Sequence, residues 1–194
     1  MPTISNSIQY SDSTQTIITQ ISLEPGYSHT RWGDDDLEQV RCEIRDFYRR
    51  EQRANCPYCR EPIGLRAAAN ASVEHIAPKS RYLQFMFEPK NLCVVCADCN
   101  ENKSNRDVID PLITGNPGRS YPTNATRYRI VHPHFDEYSD HIIKAKFLYF
   151  EKTPKGGHTI YICNLNRFIR NFGVSQEFWD DLEILAERER FHGG

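Results

Sequence analysis

The sequence predicts an α+β fold, and three observations carry that expectation. Leu37, Val40, Ile44 and Phe47 recur at helical spacing. Five cysteines (Cys56, Cys59, Cys93, Cys96 and Cys99) bracket the β-forming run Val73-Glu74-His75-Ile76. Residues 128–131, 142–151 and 158–164 are rich in the β-branched and aromatic types that favour strands. Together they divide the chain into an N-terminal arm and amphipathic helix (1–53), a cysteine-bracketed core (54–107) and a β-rich extension with a closing helix (108–194).

The elements follow in order. Thr14 to Leu23 reads as a strand on its Ile and Thr content. Asp34 is placed as an N-cap, with acidic residues in the first turn, so a helix is expected over 35–52. Arg49, Arg50 and Arg53 at its end read as a solvated basic C-terminus in preference to a phosphate contact. Val73 to Ile76 is a short strand stopped by Pro78. Residues 111–122 are dense in turn formers and read as a linker. Pro154-Lys-Gly-Gly157 is expected to turn the last two strands into a hairpin. Ser175 would cap a final helix carrying Phe178, Trp179, Leu182 and Leu185.

Composition narrows the function. The chain has 194 residues, 39% of them hydrophobic, with ten Phe and ten Tyr to fill a core. Its formal net charge of −2 lacks the basic excess of a free-standing DNA-binding module, so nucleic-acid affinity must come from a local patch or a partner. The cysteine count is odd at seven, and Met-Pro-Thr-Ile-Ser-Asn-Ser is too polar for a secretory signal. Reduced thiols on a metal in the cytoplasm are expected, and no apolar run approaches the roughly 20 residues of a membrane helix.

Structural zinc takes four soft ligands in a tetrahedron, which two C-x-x-C knuckles supply. Cys56 and Cys59 form the first. Cys93, Cys96 and Cys99 offer two choices for the second, and Cys96 with Cys99 is preferred because that knuckle runs directly into a helix. Such a site is closed and holds the fold without catalysing. Glu74, His75 and Asn100 are the wrong ligands for it. A neutral His near pH 7 can deprotonate water, and the hard oxygens of Glu74 and Asn100 suit magnesium or manganese, the combination that phosphodiester hydrolysis needs.

The pattern C-x-x-C, Glu74-His-Ile-x-Pro78, then Asn91-Leu-x-x-x-C-x-x-C-Asn100-x-x-Lys103 resembles the zinc-stapled HNH endonucleases. The resemblance implies a ββα-metal core with His75 as general base. Asn91 would pin the loop between the strands, Asn100 would ligate the divalent ion opposite Glu74, and Lys103 would face the phosphate. The nine-residue interval from Asn91 to Asn100 is similar to that of HNH domains in RNA-guided DNA nucleases. The last motif position is Asn rather than His, which removes any zinc or nickel preference. Lys79 and Arg81 after Pro78 read either as a solvated loop or as phosphate contacts. The chain also looks like small bacterial anti-phage HNH proteins, some paired with an ATPase; this implies a targeting partner. Because family members often nick one strand per site, double-strand cleavage would call for a homodimer.

Two further readings stay open. A zinc-ribbon adaptor that binds nucleic acid or protein without cutting would not need Glu74, His75 or Asn100. His132, His134 and Asp136, with Asp140 and His141 nearby, have ligand types at short spacing. Pro133 and the absence of a further Cys or paired carboxylate favour a structural, hydrogen-bonded role over a metal site or a binding surface.

Overall fold

A computed structural model describes residues 3–64, 71–114, 118–173 and 176 of the chain. Helices and two small antiparallel sheets alternate along it, an α+β architecture. The element expected as an N-terminal strand is a helix, α1 (Asp12–Ser22). Ser11 caps it through its side-chain oxygen, and Thr16, Thr19 and Ser22 return their hydroxyls to carbonyls four residues back. Those local bonds satisfy the β-favouring hydroxyl residues inside a helix, while Ile18 and Ile21 reach the core from one face. A 3₁₀ turn (Asp35–Leu37) leads into α2 (Glu38–Glu51), which buries Val40, Ile44 and Tyr48. Glu43 of α2 accepts from the backbone and hydroxyl of Ser11, clamping the two helices together.

Strands β1 (Ser72–His75) and β2 (Leu92–Val95) pair antiparallel, with Glu74 opposite Cys93 and His75 opposite Leu92. α2 packs on both strands. Gln52, just past α2, bonds both the N–H and the C=O of Val94 through its side-chain amide, at 2.8 and 2.6 Å. A side chain thereby occupies backbone groups of β2 that a third strand would otherwise take. Helix α3 (Ala97–Lys103) follows directly and completes a ββα unit.

Beyond a short helix α4 (Pro111–Thr114), the expected strand 128–131 contributes only an isolated bridge between Ile109 and Tyr128. Strands β3 (Ile142–Ala145) and β4 (Leu148–Glu151) form a hairpin around Lys146 and Phe147. The expected strand 158–164 is instead helix α5 (Pro154–Ile162), followed by α6 (Arg167–Phe172). Thr153 caps α5 and Pro154 fills its first turn, a start signal that outweighs the turn-forming character of Gly156 and Gly157. The extension thus holds one hairpin and more helix than expected. The closing helix expected after Ser175 lies outside the described residues. One hydrophobic cluster runs from Ile4 to Leu165, so arm, ββα unit and extension share a core.

Candidate active site

Cys56 and Cys59 follow α2, Cys96 closes β2, and Cys99 stands in the first turn of α3. Their four Sγ atoms lie within 4.8 Å of one another. Cys59 and Cys96 are 3.7 Å apart at sulfur, close to the edge of about 3.8 Å in a tetrahedron of zinc–thiolate bonds. Cys59 and Cys96 are held below the usual thiol range, chiefly by hydrogen bonding with Cys56; Cys56 is pushed up by burial and Cys99 by its bond to Cys56. Four crowded thiols divide their protons in this way because four thiolates cannot coexist without a cation. The group fits zinc. Cys93 is outside it, buried opposite Glu74.

On a regular strand Glu74 and His75 would face opposite sides. Here β1 ends at His75, and both side chains border one open cleft of ≈ 680 Å³ between α2, β1 and α3. Each is only 5% exposed. His75 Nε2 lies 3.1 Å from the carbonyl oxygen of Met86. A carbonyl can only accept, so Nε2 carries the proton and Nδ1 keeps its lone pair. The Trp32 ring meets the imidazole edge-on at 4.4 Å. Burial, reinforced by the charges of Lys79 and Lys103, pushes the His75 pKa well below the ordinary value, against the Met86 bond. The ring is therefore neutral at pH 7.

Asn91 is fully buried and spans the loop that follows β1. Its Oδ1 accepts from Ala77 N at 2.7 Å, and its Nδ2 donates to the carbonyls of Ala77 and Phe85 at 3.1 and 2.9 Å. Its own carbonyl accepts from Ile76 N. Burial raises the Glu74 pKa, and the nearby Lys103 opposes that rise. The buried Glu74 Oε1 forms an ion pair with Lys103 yet receives no well-directed hydrogen bond. Asn100, half-buried on α3, lines the same cleft. Glu74 and Asn100 both border the cleft, and carboxylate and amide oxygens are ligand types that suit a hard divalent cation.

Lys103 does not face the cleft as expected for a phosphate contact. It is fully buried, paired with Glu74 and donating to the carbonyl of His75 at 3.1 Å. Arg81 also stands apart, exposed and reaching the carbonyl of Asn105 at 3.3 Å. Lys79 does border the cleft. The sequence reading missed His29, Trp32, Arg41 and Arg45, which close the cleft from the N-terminal side. Arg41 and Arg45 each follow a buried position of α2, a spacing that could have found them; His29 and Trp32 sit in a stretch without periodicity.

The second histidine group is structural in its contacts. His132 Nδ1 accepts from His134 N and Nε2 meets the Tyr121 hydroxyl at 2.9 Å, while His134 Nε2 donates to the carbonyl of Leu92. Among the described residues, the four cysteines are the one group of three or more Cys, His, Asp or Glu that could hold a metal.

Residues 56–106, the stretch that carries both knuckles, Glu74-His75 and α3, match the family model of the HNH endonuclease. Over those residues the chain is similar to HNH endonucleases. A search of curated proteins finds no match. The HNH match spans the ββα unit and the four clustered cysteines, and it points to nuclease activity in general. Arg41, Arg45 and Trp32, on the near wall of the cleft, and the extension after residue 106 lie outside it. Among the described residues no helix is long and apolar enough to cross a membrane.

Proposed function

We propose that this protein is a metal-dependent endonuclease that hydrolyses DNA phosphodiester bonds, with His75 as general base. The observation that carries this reading is the fixed tautomer of His75. Met86 holds the proton on Nε2, leaving a neutral Nδ1 beside the cleft, ready to take a proton from water. Asn91 holds the loop that delivers the Met86 carbonyl, because it bonds Phe85 and Ala77 on either side. Trp32 limits ring rotation from the other side. Glu74 and Asn100 would hold magnesium or manganese, which when bound neutralises charge on the non-bridging and leaving oxygens. Lys79 extends into the cleft as a candidate phosphate contact. The four cysteines would hold zinc as a fold element.

A net charge of −2 supports delivery to DNA by a partner rather than autonomous search. With the resemblance to anti-phage HNH proteins, this favours a cytoplasmic defence role beside a targeting protein such as an ATPase. The rival zinc-ribbon adaptor leaves the buried, oriented His75 without a purpose.

Plasmid cleavage with magnesium or manganese, wild type beside His75→Ala and zinc content measured on both, tests the assignment. Cutting should fall about 10²–10⁴-fold in the variant at equal zinc. Equal cutting by both would remove His75 from catalysis. A zinc-loaded wild type inert toward DNA with its partner present would leave the adaptor.

A further inference from the structure

Beside the buried row Val40, Ile44 and Tyr48 of α2 runs a second row, Arg41, Arg45 and Arg49, each one residue further on. At 3.6 residues per turn these share a face. The other flank carries Glu43, tied to Ser11 of α1, so the arginines lie on the side away from α1. Arg41 and Arg45 border the cleft that holds His75.

The three arginines are not equivalent. Arg41 spends its donors within the fold: Nε and Nη2 on Glu38 at 2.9 and 2.6 Å, and Nη1 on the carbonyls of Trp32 and Asp34. It anchors the Trp32 wall. Arg45 has only long contacts through Nη1, 3.7 Å to Glu38 and 3.7 Å to Cys42 Sγ, and its buried Nε has no partner. Arg49 has two buried nitrogens, Nε and Nη2, without partners. Arg41 and Arg45 share the Glu38 carboxylate, so two cations meet one anion there. Buried guanidinium N–H groups without acceptors are costly, and a guanidinium cannot shed its charge to escape that cost. These nitrogens are shielded from solvent in the fold, so a phosphate would reach them only as the long arginine side chains turn outward. A guanidinium with donors to spare then matches the bidentate geometry of a phosphate.

We propose that Arg45 and Arg49 form a phosphate track, binding neighbouring phosphates of the DNA strand that runs from the His75 centre along α2. This rests on the endonuclease reading of the cleft. Four helical residues advance about 6 Å, between one and two nucleotide rises of about 3.4 Å. Long arginine stems span the difference.

The test is a salt series of binding to a short fluorescein-labelled DNA duplex, using the full zinc-loaded chain with His75→Ala to prevent cutting. On that background Arg45→Gln with Arg49→Gln should lower the slope of log affinity against log salt by about 1.8, or 0.9 per lost phosphate contact. Arg45→Lys with Arg49→Lys should keep the slope, since the charge remains. If the double Gln variant does not fold or loses zinc, Arg45→Gln alone should lower the slope by about 0.9. An unchanged slope in the Gln variants, or no duplex binding by the His75→Ala chain at low salt, overturns the track. Wild-type plasmid cutting separates the two readings. Cutting with an unchanged slope removes the track alone, and a lowered slope with no cutting even when the partner is present removes the nuclease reading alone.

Discussion

Lys103 is fully enclosed, and its charge has no water to screen it; the ammonium is matched by Glu74 and by the carbonyl of His75. Breaking a buried pair from one side leaves the other charge stranded, at a cost of about 3–5 kcal/mol. Lys103→Ala should therefore lower the unfolding free energy measured in urea by that order, while Glu74→Gln with Lys103→Met should recover much of the loss. A Lys103→Ala chain as stable as wild type would show that Glu74 is not held by this pair. The inward direction of Lys103 was available in the sequence. Cys99 and Lys103 are four apart, so the lysine shares the face of a buried cysteine of the candidate metal site and points where that side chain points. Motif position identifies the residue type, and helical phase decides whether it meets solvent. The cysteine set, by contrast, was legible at once, because thiols at C-x-x-C spacing have few alternatives in a reduced chain.

Helix α5 shows where element-level reading failed. Gly156 and Gly157 suggested a hairpin turn, but their function is close packing on β3 and β4. A Cβ on Gly156 would stand 2.0 Å from the His141 carbonyl oxygen, a backbone atom that itself accepts from Lys152 N. A Cβ on Gly157 would meet Glu151 Oε2 at 2.6 Å, the mobile end of an exposed side chain. Gly156→Ala should cost about 1–3 kcal/mol or more by forcing the helix from the hairpin. Gly157→Ala should be near neutral or gain up to about 1 kcal/mol from helix propensity. Thermal unfolding of the two variants compares them directly, and equal shifts would refute the packing account. α1 was hidden for a related reason: Thr and Ile favour strands in isolation, and the cap at Ser11 with its tie to Glu43 outweighs that preference. Tertiary closeness at a glycine and long-range ties at a cap leave little trace in a local window. α2 was legible because its apolar period is strong over several turns.

At the scale of the whole molecule, the extension braces the ββα unit. Tyr138 and Tyr149 donate to the carbonyls of Tyr58 and Cys59 in the first knuckle, and Arg167 pairs with Asp98 beside the second. His134 donates to Leu92 on β2 with its ring edge-on to Tyr48, so one imidazole joins the extension, β2 and α2. Burial lowers the His134 pKa to about 4, and burial also holds His132 well below its ordinary value. The unfolded chain, with histidines near pH 6.5, takes up protons that the folded chain refuses. Stability is therefore intact above about pH 6.5 and declines as pH falls toward 4, where His134 protonates in the folded state too. Protonation of the four clustered cysteines would add to any acid loss, so the informative quantity is a difference between variants. His134→Gln removes one titrating group while retaining an N–H for Leu92, and should flatten the dependence of urea stability on pH between 7 and 5 without abolishing it, since His132 remains. Equal pH slopes for wild type and His134→Gln would mean that the seam tolerates a charged imidazole at His134, and that acid sensitivity arises at other groups such as His132 and the cysteines.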